Sequence, residues 1–175
     1  MDSLQLAAWL DSWSSRYPAD YDAKFATYAG REAYGPDDLE VLYNWKFTRL
    51  WPAKKIRAMR AFPERDIWDL TRRSFICDDP LGALLILCLI PGLQAAGASA
   101  VLAAQAPDRY TVMDVRALAS LEALGLWDSR QHGDQATAIR WPLYLQTCLE
   151  LANKTGKSLR AVDRALYKAN GAVPV

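Results

Sequence analysis

The chain has 175 residues, 51% of them apolar, and a net charge of +1. That length allows one domain, or two small lobes around a cleft, and that apolar share excludes a disordered chain. The longest apolar run, Leu81 to Leu93, is too short to span a bilayer, and Met1-Asp2-Ser3 lacks the basic start of a signal peptide, so a cytoplasmic, reducing setting is expected.

Strand signals are nearly absent, and an all-α fold is expected. Ser3 can cap a first helix through Trp13, which Tyr17-Pro18 breaks. Asp20 opens a second helix that fades near Gly30 and Gly35. Pro36-Asp37-Asp38 starts a third, with Leu39, Leu42, Tyr43, Phe47 and Leu50 at helical spacing, and Pro52 ends it or begins the next. Lys54 to Arg60 fits a short basic helix. Pro63-Glu64 starts another, with Ile67, Leu70 and Phe75 on one side. Asp79-Pro80 pairs an N-cap with Pro at N1 and predicts a helix to about Leu89.

Pro91-Gly92 makes a tight turn into a helix from about Ala95 to Ala106, whose small residues let a partner pack closely. Thr111 and Asp114 have capping-box spacing and open a helix to about Leu124, with Gly125 at C′. Residues 128–138 read as a polar loop, Arg140 to Lys154 as a helix, and Ser158 as the cap of a last helix to about Lys168.

Cys77, Cys88 and Cys148 match neither a zinc ribbon nor an iron–sulfur loop, and His132 has no Cys or His companion in its loop. No metal site is expected, and His132 is expected at the surface. The seven tryptophans are expected mostly in the core.

Charge is unevenly placed. Residues 1–45 carry three basic and eight acidic side chains, residues 46–73 nine and three, and residues 154–168 five and one. The two basic segments read either as an electrostatic footprint for nucleic acid or as solvated helix faces.

The residues Ile90-Pro91-Gly92-Leu93-Gln94-Ala95-Ala96-Gly97-Ala98-Ser99-Ala100, followed by Tyr110-Thr111-Val112-Met113-Asp114-Val115-Arg116, resemble the helix-hairpin-helix of DNA glycosylases and the helix start where that superfamily keeps its catalytic Asp. The match is best over 79–121 and extends over 37–124. Leu42-Tyr43-Asn44-Trp45-Lys46-Phe47 and the segment Ser158 to Tyr167 resemble a small bacterial branch of the same superfamily.

The resemblance implies an endonuclease III-like, DNA-glycosylase-like fold, with the hairpin at about 80–106. It implies one domain over 1–175, divided at most into a hairpin core (37–124) and a second lobe (1–36 with 125–175). It also implies a partner, double-stranded DNA by family pattern, bound at Pro91, Gly92, Leu93, Gln94, Ala95, Gly97 and Ser99, with main-chain N–H groups gripping a phosphate and Gly97, Ala98 and Ala100 keeping the second helix slim.

Gln94 stands where the family pattern has its second glycine. It either hinders the phosphate, or a monovalent cation bound at the hairpin, or donates to DNA. A plain helical corner is the alternative for the whole turn.

Asp114 would stabilise the cationic sugar as a base leaves and orient water; alternatively it only caps its helix. Trp45 would stack on a flipped base and Lys46 bind a phosphate, or they are a core Trp and its snorkelling neighbour. Bifunctional relatives place a Schiff-base Lys at the second hairpin helix. Here Ala95, Ala96 and Gly97 stand there, which implies monofunctional hydrolysis without a cofactor. Asp163-Arg164 reads as a structural ion pair or a partner surface.

Three functions compete: a base-excision glycosylase, a non-catalytic DNA-binding protein, and a helical partner-binding protein. A cleft with Asp114 at its floor, an aromatic wall and basic rims distinguishes the first.

Overall fold

Eleven α-helices and no strand are found among residues 2–47, 53–133 and 137–173, which the computed structural model describes. They are α1 (Ser3–Ser14), α2 (Ala19–Ala26), α3 (Pro36–Lys46), α4 (Ala53–Arg60), α5 (Glu64–Phe75), α6 (Pro80–Cys88), α7 (Ala95–Gln105), α8 (Val115–Ala123), α9 (Ser129–His132), α10 (Trp141–Thr155) and α11 (Leu159–Ala169). The expectations for Leu50 and Pro52 lie outside the described residues, as does 134–136 of the expected polar loop.

Local chemistry accounts for most helix ends. The Asp79 carboxylate accepts from Gly82 N–H at 2.7 Å, and Pro80 follows at N1. Ser158 accepts from Ala161 N–H at 3.2 Å to start α11. α3 opens on Pro36, and Asp38 reaches back to the Gly35 N–H at 2.9 Å. Gly156 closes α10 in the left-handed region, at φ 67°.

Three expectations are corrected. Asp2, not Ser3, caps α1, because its carboxylate and Gln5 form a reciprocal capping box. Thr111 does not open α8; the helix starts at Val115, and Asp114 itself is its N-cap, accepting from Arg116 N–H at 2.9 Å. The expected loop at 128–138 contains the single-turn helix α9, capped by Asp128, and His132 is half-buried, 5.2 Å from the Trp127 ring.

The helices fall into two groups around one hydrophobic core. α3 packs on α4 and α7, and α6 packs on α5 and α7. The other group joins α1, α8 and α10 to α11 and α1 to α10; α10 also touches α6. α8, assigned by the sequence to the hairpin core, packs on α11. Ser120 fixes it there, donating to the Leu166 carbonyl at 2.7 Å and accepting from Gly171 N–H at 3.0 Å.

The small residues of α7 have the expected consequence. A Cβ on Gly97 would overlap the Tyr43 ring of α3. Among the described residues, no helix is long and apolar enough to cross a membrane.

Candidate active site

The site is built around five residues that carry no helix. Tyr110 to Asp114 run between α7 and α8, so their backbone polar groups need partners from elsewhere. Side chains supply them. Trp141 Nε1 donates to the Thr111 carbonyl at 3.2 Å, Tyr144 Oη donates to the Val112 carbonyl at 3.1 Å, and Met113 N–H donates to Ser99 Oγ at 3.0 Å. All three side chains are fully buried. They hold the segment from α7 and α10 and place Asp114 on the lining of a cavity.

That cavity holds about 200 Å³, below the ~300–1,000 Å³ of drug-sized ligand sites and suited to a single small ring system. Its aromatic wall is Tyr17 and Tyr21 from the α1–α2 region, Trp45 from α3 and Tyr167 from α11. Its charged lining is Asp114, Lys46, Asp163, Arg160, Arg164 and Lys168.

The charges fall into two ion-paired groups. Lys46 Nζ pairs with Asp114 Oδ2, with only 6% of the Lys46 side chain and 17% of the Asp114 side chain exposed. Arg160 bridges Asp163 and Asp22, and Arg164 pairs with Asp22. Arg160 also lies over Phe25 at 4.4 Å, Tyr17 at 5.2 Å and Trp45 at 5.5 Å, a stack of cation–π contacts behind the aromatic wall.

Environment shifts several of these groups. Burial pushes the Asp163 carboxyl above its ordinary range, against the opposing pull of Arg160 and, more weakly, of Thr111 and Lys46. Burial pushes the Tyr17 phenol up to about 12, against the opposing charge of Arg160. Burial disfavours the Arg160 charge, but Asp163, Tyr17 and Asp22 outweigh it and hold that guanidinium above its usual value. Among the described residues, no three His, Cys, Asp or Glu side chains are grouped so as to hold a metal ion.

The residues expected from the sequence divide sharply. Asp114, Trp45 and Lys46 meet at one cavity although α3 and α8 lie far apart in sequence. Lys46 lines the cavity with its ammonium paired to Asp114 and only 6% of its side chain exposed. Trp45 is half-buried against Phe25, with ring centroids 4.5 Å apart, and still lines the cavity.

The hairpin forms as a turn between α6 and α7. Leu93, Ala95, Gly97 and Ser99 face the interior, Pro91 and Gly92 are half-buried, and Gln94 is exposed. Gly92 takes φ 85°, and a Cβ there would lie 2.7 Å from the Lys55 carbonyl, so α4 rests on the turn. Gln94 is the N-cap residue of α7 but caps nothing with its side chain; its Oε1 accepts from Lys55 Nζ at 2.8 Å. Ser99, buried with its hydroxyl on the Ala96 carbonyl and the Met113 N–H, serves the Asp114 segment rather than a surface.

Sequence reasoning missed Tyr17, Tyr21, Asp22, Arg160 and Tyr167, and misread Asp163-Arg164. These two do not pair with each other: Asp163 takes Arg160, and Arg164 takes Asp22. A signal was present, since residues 160, 163, 164 and 167 repeat at helical spacing and share one face of α11.

Among the described residues, three of the nine basic residues in 46–73 pair with carboxylates of α3 or α5. Arg60 pairs with Asp37 and Glu40, and Arg72 and Arg73 pair with Asp69. No protein-family model matches the chain, and no curated protein or solved structure matches it either.

Proposed function

We propose that this protein hydrolyses the N-glycosidic bond of a damaged or modified base in DNA, with Asp114 as the catalytic carboxylate. The observation that carries this reading is Asp114 at a helix N-terminus, facing a cavity sized for one small ring system, with aromatic side chains on its wall and cations on its lining.

The chemistry follows from that placement. A base swung out of the duplex enters the cavity and meets Tyr17, Tyr21, Trp45 and Tyr167. As the base departs, positive charge develops on the sugar, and the Asp114 carboxylate stabilises it electrostatically and orients the attacking water. Arg116 N–H fixes one carboxylate oxygen and Lys46 the other, which pre-sets its direction. Ala95, Ala96 and Gly97 offer no amine at the hairpin, in keeping with hydrolysis that leaves an abasic site.

One observation favours a second reading. Both Asp114 oxygens already have partners within the protein, as a purely structural cap would. A non-catalytic DNA-binding or partner-binding protein is that alternative.

The deciding experiment is release of free base from a panel of damaged and modified duplexes by the native protein and by Asp114→Asn, with folding checked by circular dichroism. Release that falls by about 10²-fold or more in a folded Asn variant is expected. No release by either protein, with salt-sensitive duplex binding kept in both, overturns the catalytic reading in favour of the binding module.

A further inference from the structure

The Asp22 carboxylate sits in a setting that resembles a bound anion. Its Oδ1 accepts from Arg160 Nε at 3.1 Å and Nη2 at 2.8 Å, and its Oδ2 accepts from Arg164 Nη1. The two guanidinium groups belong to one face of α11, and both line the cavity that holds Asp114. Arg164 Nε is buried with no hydrogen-bond partner, so the cluster has a donor left over that Asp22 does not reach. Lys168, one turn on from Arg164 and on the same cavity, has no ion pair among the described residues.

α2, which carries Asp22, joins none of the closely packed helix pairs. Two more side chains of α2 meet this site: Phe25 against Trp45 and Arg160, and Tyr21 edge-on to Tyr17 with ring centroids 6.5 Å apart.

We propose that Arg160 and Arg164 form a phosphate subsite whose resting occupant is the Asp22 carboxylate, and that a substrate phosphate displaces that carboxylate from the two guanidinium groups. A phosphodiester carries one negative charge over two non-bridging oxygens, as a carboxylate does, and guanidinium forks bind both bidentately. The phosphate gains the idle Arg164 Nε and Lys168, which the carboxylate does not use. The subsite adjoins Asp114, so the phosphate it takes is one flanking the sugar under attack. That assignment of source rests on the reading proposed above; the phosphate chemistry does not.

The test measures binding of a short DNA duplex carrying an abasic-site analogue, and of inorganic phosphate, to the full chain. Asp22→Asn is compared with the native protein and with Asp66→Asn, which removes the same charge from the exposed face of α5. Asp22→Asn is expected to bind both probes about tenfold more tightly, the scale of one charge-assisted hydrogen bond. The log–log salt slope for the duplex is expected to steepen by about 1–2 as the arginines are freed. Adding Arg164→Gln returns binding to the native level or below.

Tightening no greater than that of Asp66→Asn overturns the proposal. Tightening for phosphate but not for the duplex upholds the subsite and sinks DNA as its source. If Asp22→Asn does not fold, Arg164→Gln alone decides: an unchanged duplex affinity and salt slope overturn the subsite.

Discussion

The hairpin and the cavity make an instructive pair. The hairpin is contiguous in sequence and carries the recognisable motif, yet four of its seven expected contact residues face inward. The cavity has no motif and draws its lining from Tyr17 to Lys168. Contiguity makes a feature visible in sequence, because spacing along one chain segment is all a motif records. Chemistry needs charges and rings from several directions, and only packing brings those together. The hairpin's small residues serve that packing: Gly97 admits Tyr43, and Ser99 holds the backbone next to Asp114.

The sharpest way to break this contrast is to remove one lysine from each region. Lys46→Met leaves the Asp114 carboxylate mostly buried without its cation and is expected to cost about 3–5 kcal/mol by urea denaturation. Lys55→Met removes an exposed contact to Gln94 and is expected to cost under about 1 kcal/mol. Similar costs would erase the distinction between a structural and a surface cation. Gly97→Ala drives a methyl group into the Tyr43 ring and is expected to cost about 1–3 kcal/mol, with α3 pushed from α7. A neutral result would mean that the small-residue face was not selected for close packing.

Ser99→Ala strands the Met113 N–H and is expected to cost about 1–2 kcal/mol. Under the proposed function its sharper signature is chemical: base release falls while duplex affinity stays within about twofold, because the hydroxyl serves the Asp114 segment and is fully buried. The smallest expected effect concerns alkaline pH. Tyr17 keeps its proton in the folded state up to about 12, whereas an unfolded tyrosine loses it near the ordinary value of about 10. Between those values the folded state binds more protons, so stability falls as pH rises. Urea midpoints at pH 9 and 11 should differ less in Tyr17→Phe than in the native chain.

Much of the helical layout was legible because capping is local. Asp79-Pro80, Pro36 and Ser158 each declare a helix start within a few residues. Thr111 misled for the same reason. Its spacing to Asp114 fits a capping box, but Trp141 and Tyr144, some thirty residues on, bond to the carbonyls of Thr111 and Val112 and keep the segment out of a helix. Asp114 was legible as a charged helix start, and Trp45-Lys46 as a pair worth watching. Their meeting was not, since nothing near Lys46 announces that a carboxylate from α8 will receive it. Arg160 was hidden in a run of basic residues that reads equally well as a solvated face, and Asp22 lies at the other end of the chain.

Because α1 packs on α11, the two ends of this cavity come from opposite ends of the chain. During synthesis the hairpin and Asp114 emerge from the ribosome well before Arg160, Arg164 and Tyr167. A nascent chain therefore carries its carboxylate with only Tyr17, Tyr21 and Trp45 of the wall until α11 adds Tyr167 and the two arginines. A product cut short before Leu159 keeps the hairpin and Asp114 but loses the face of the cavity that α11 supplies.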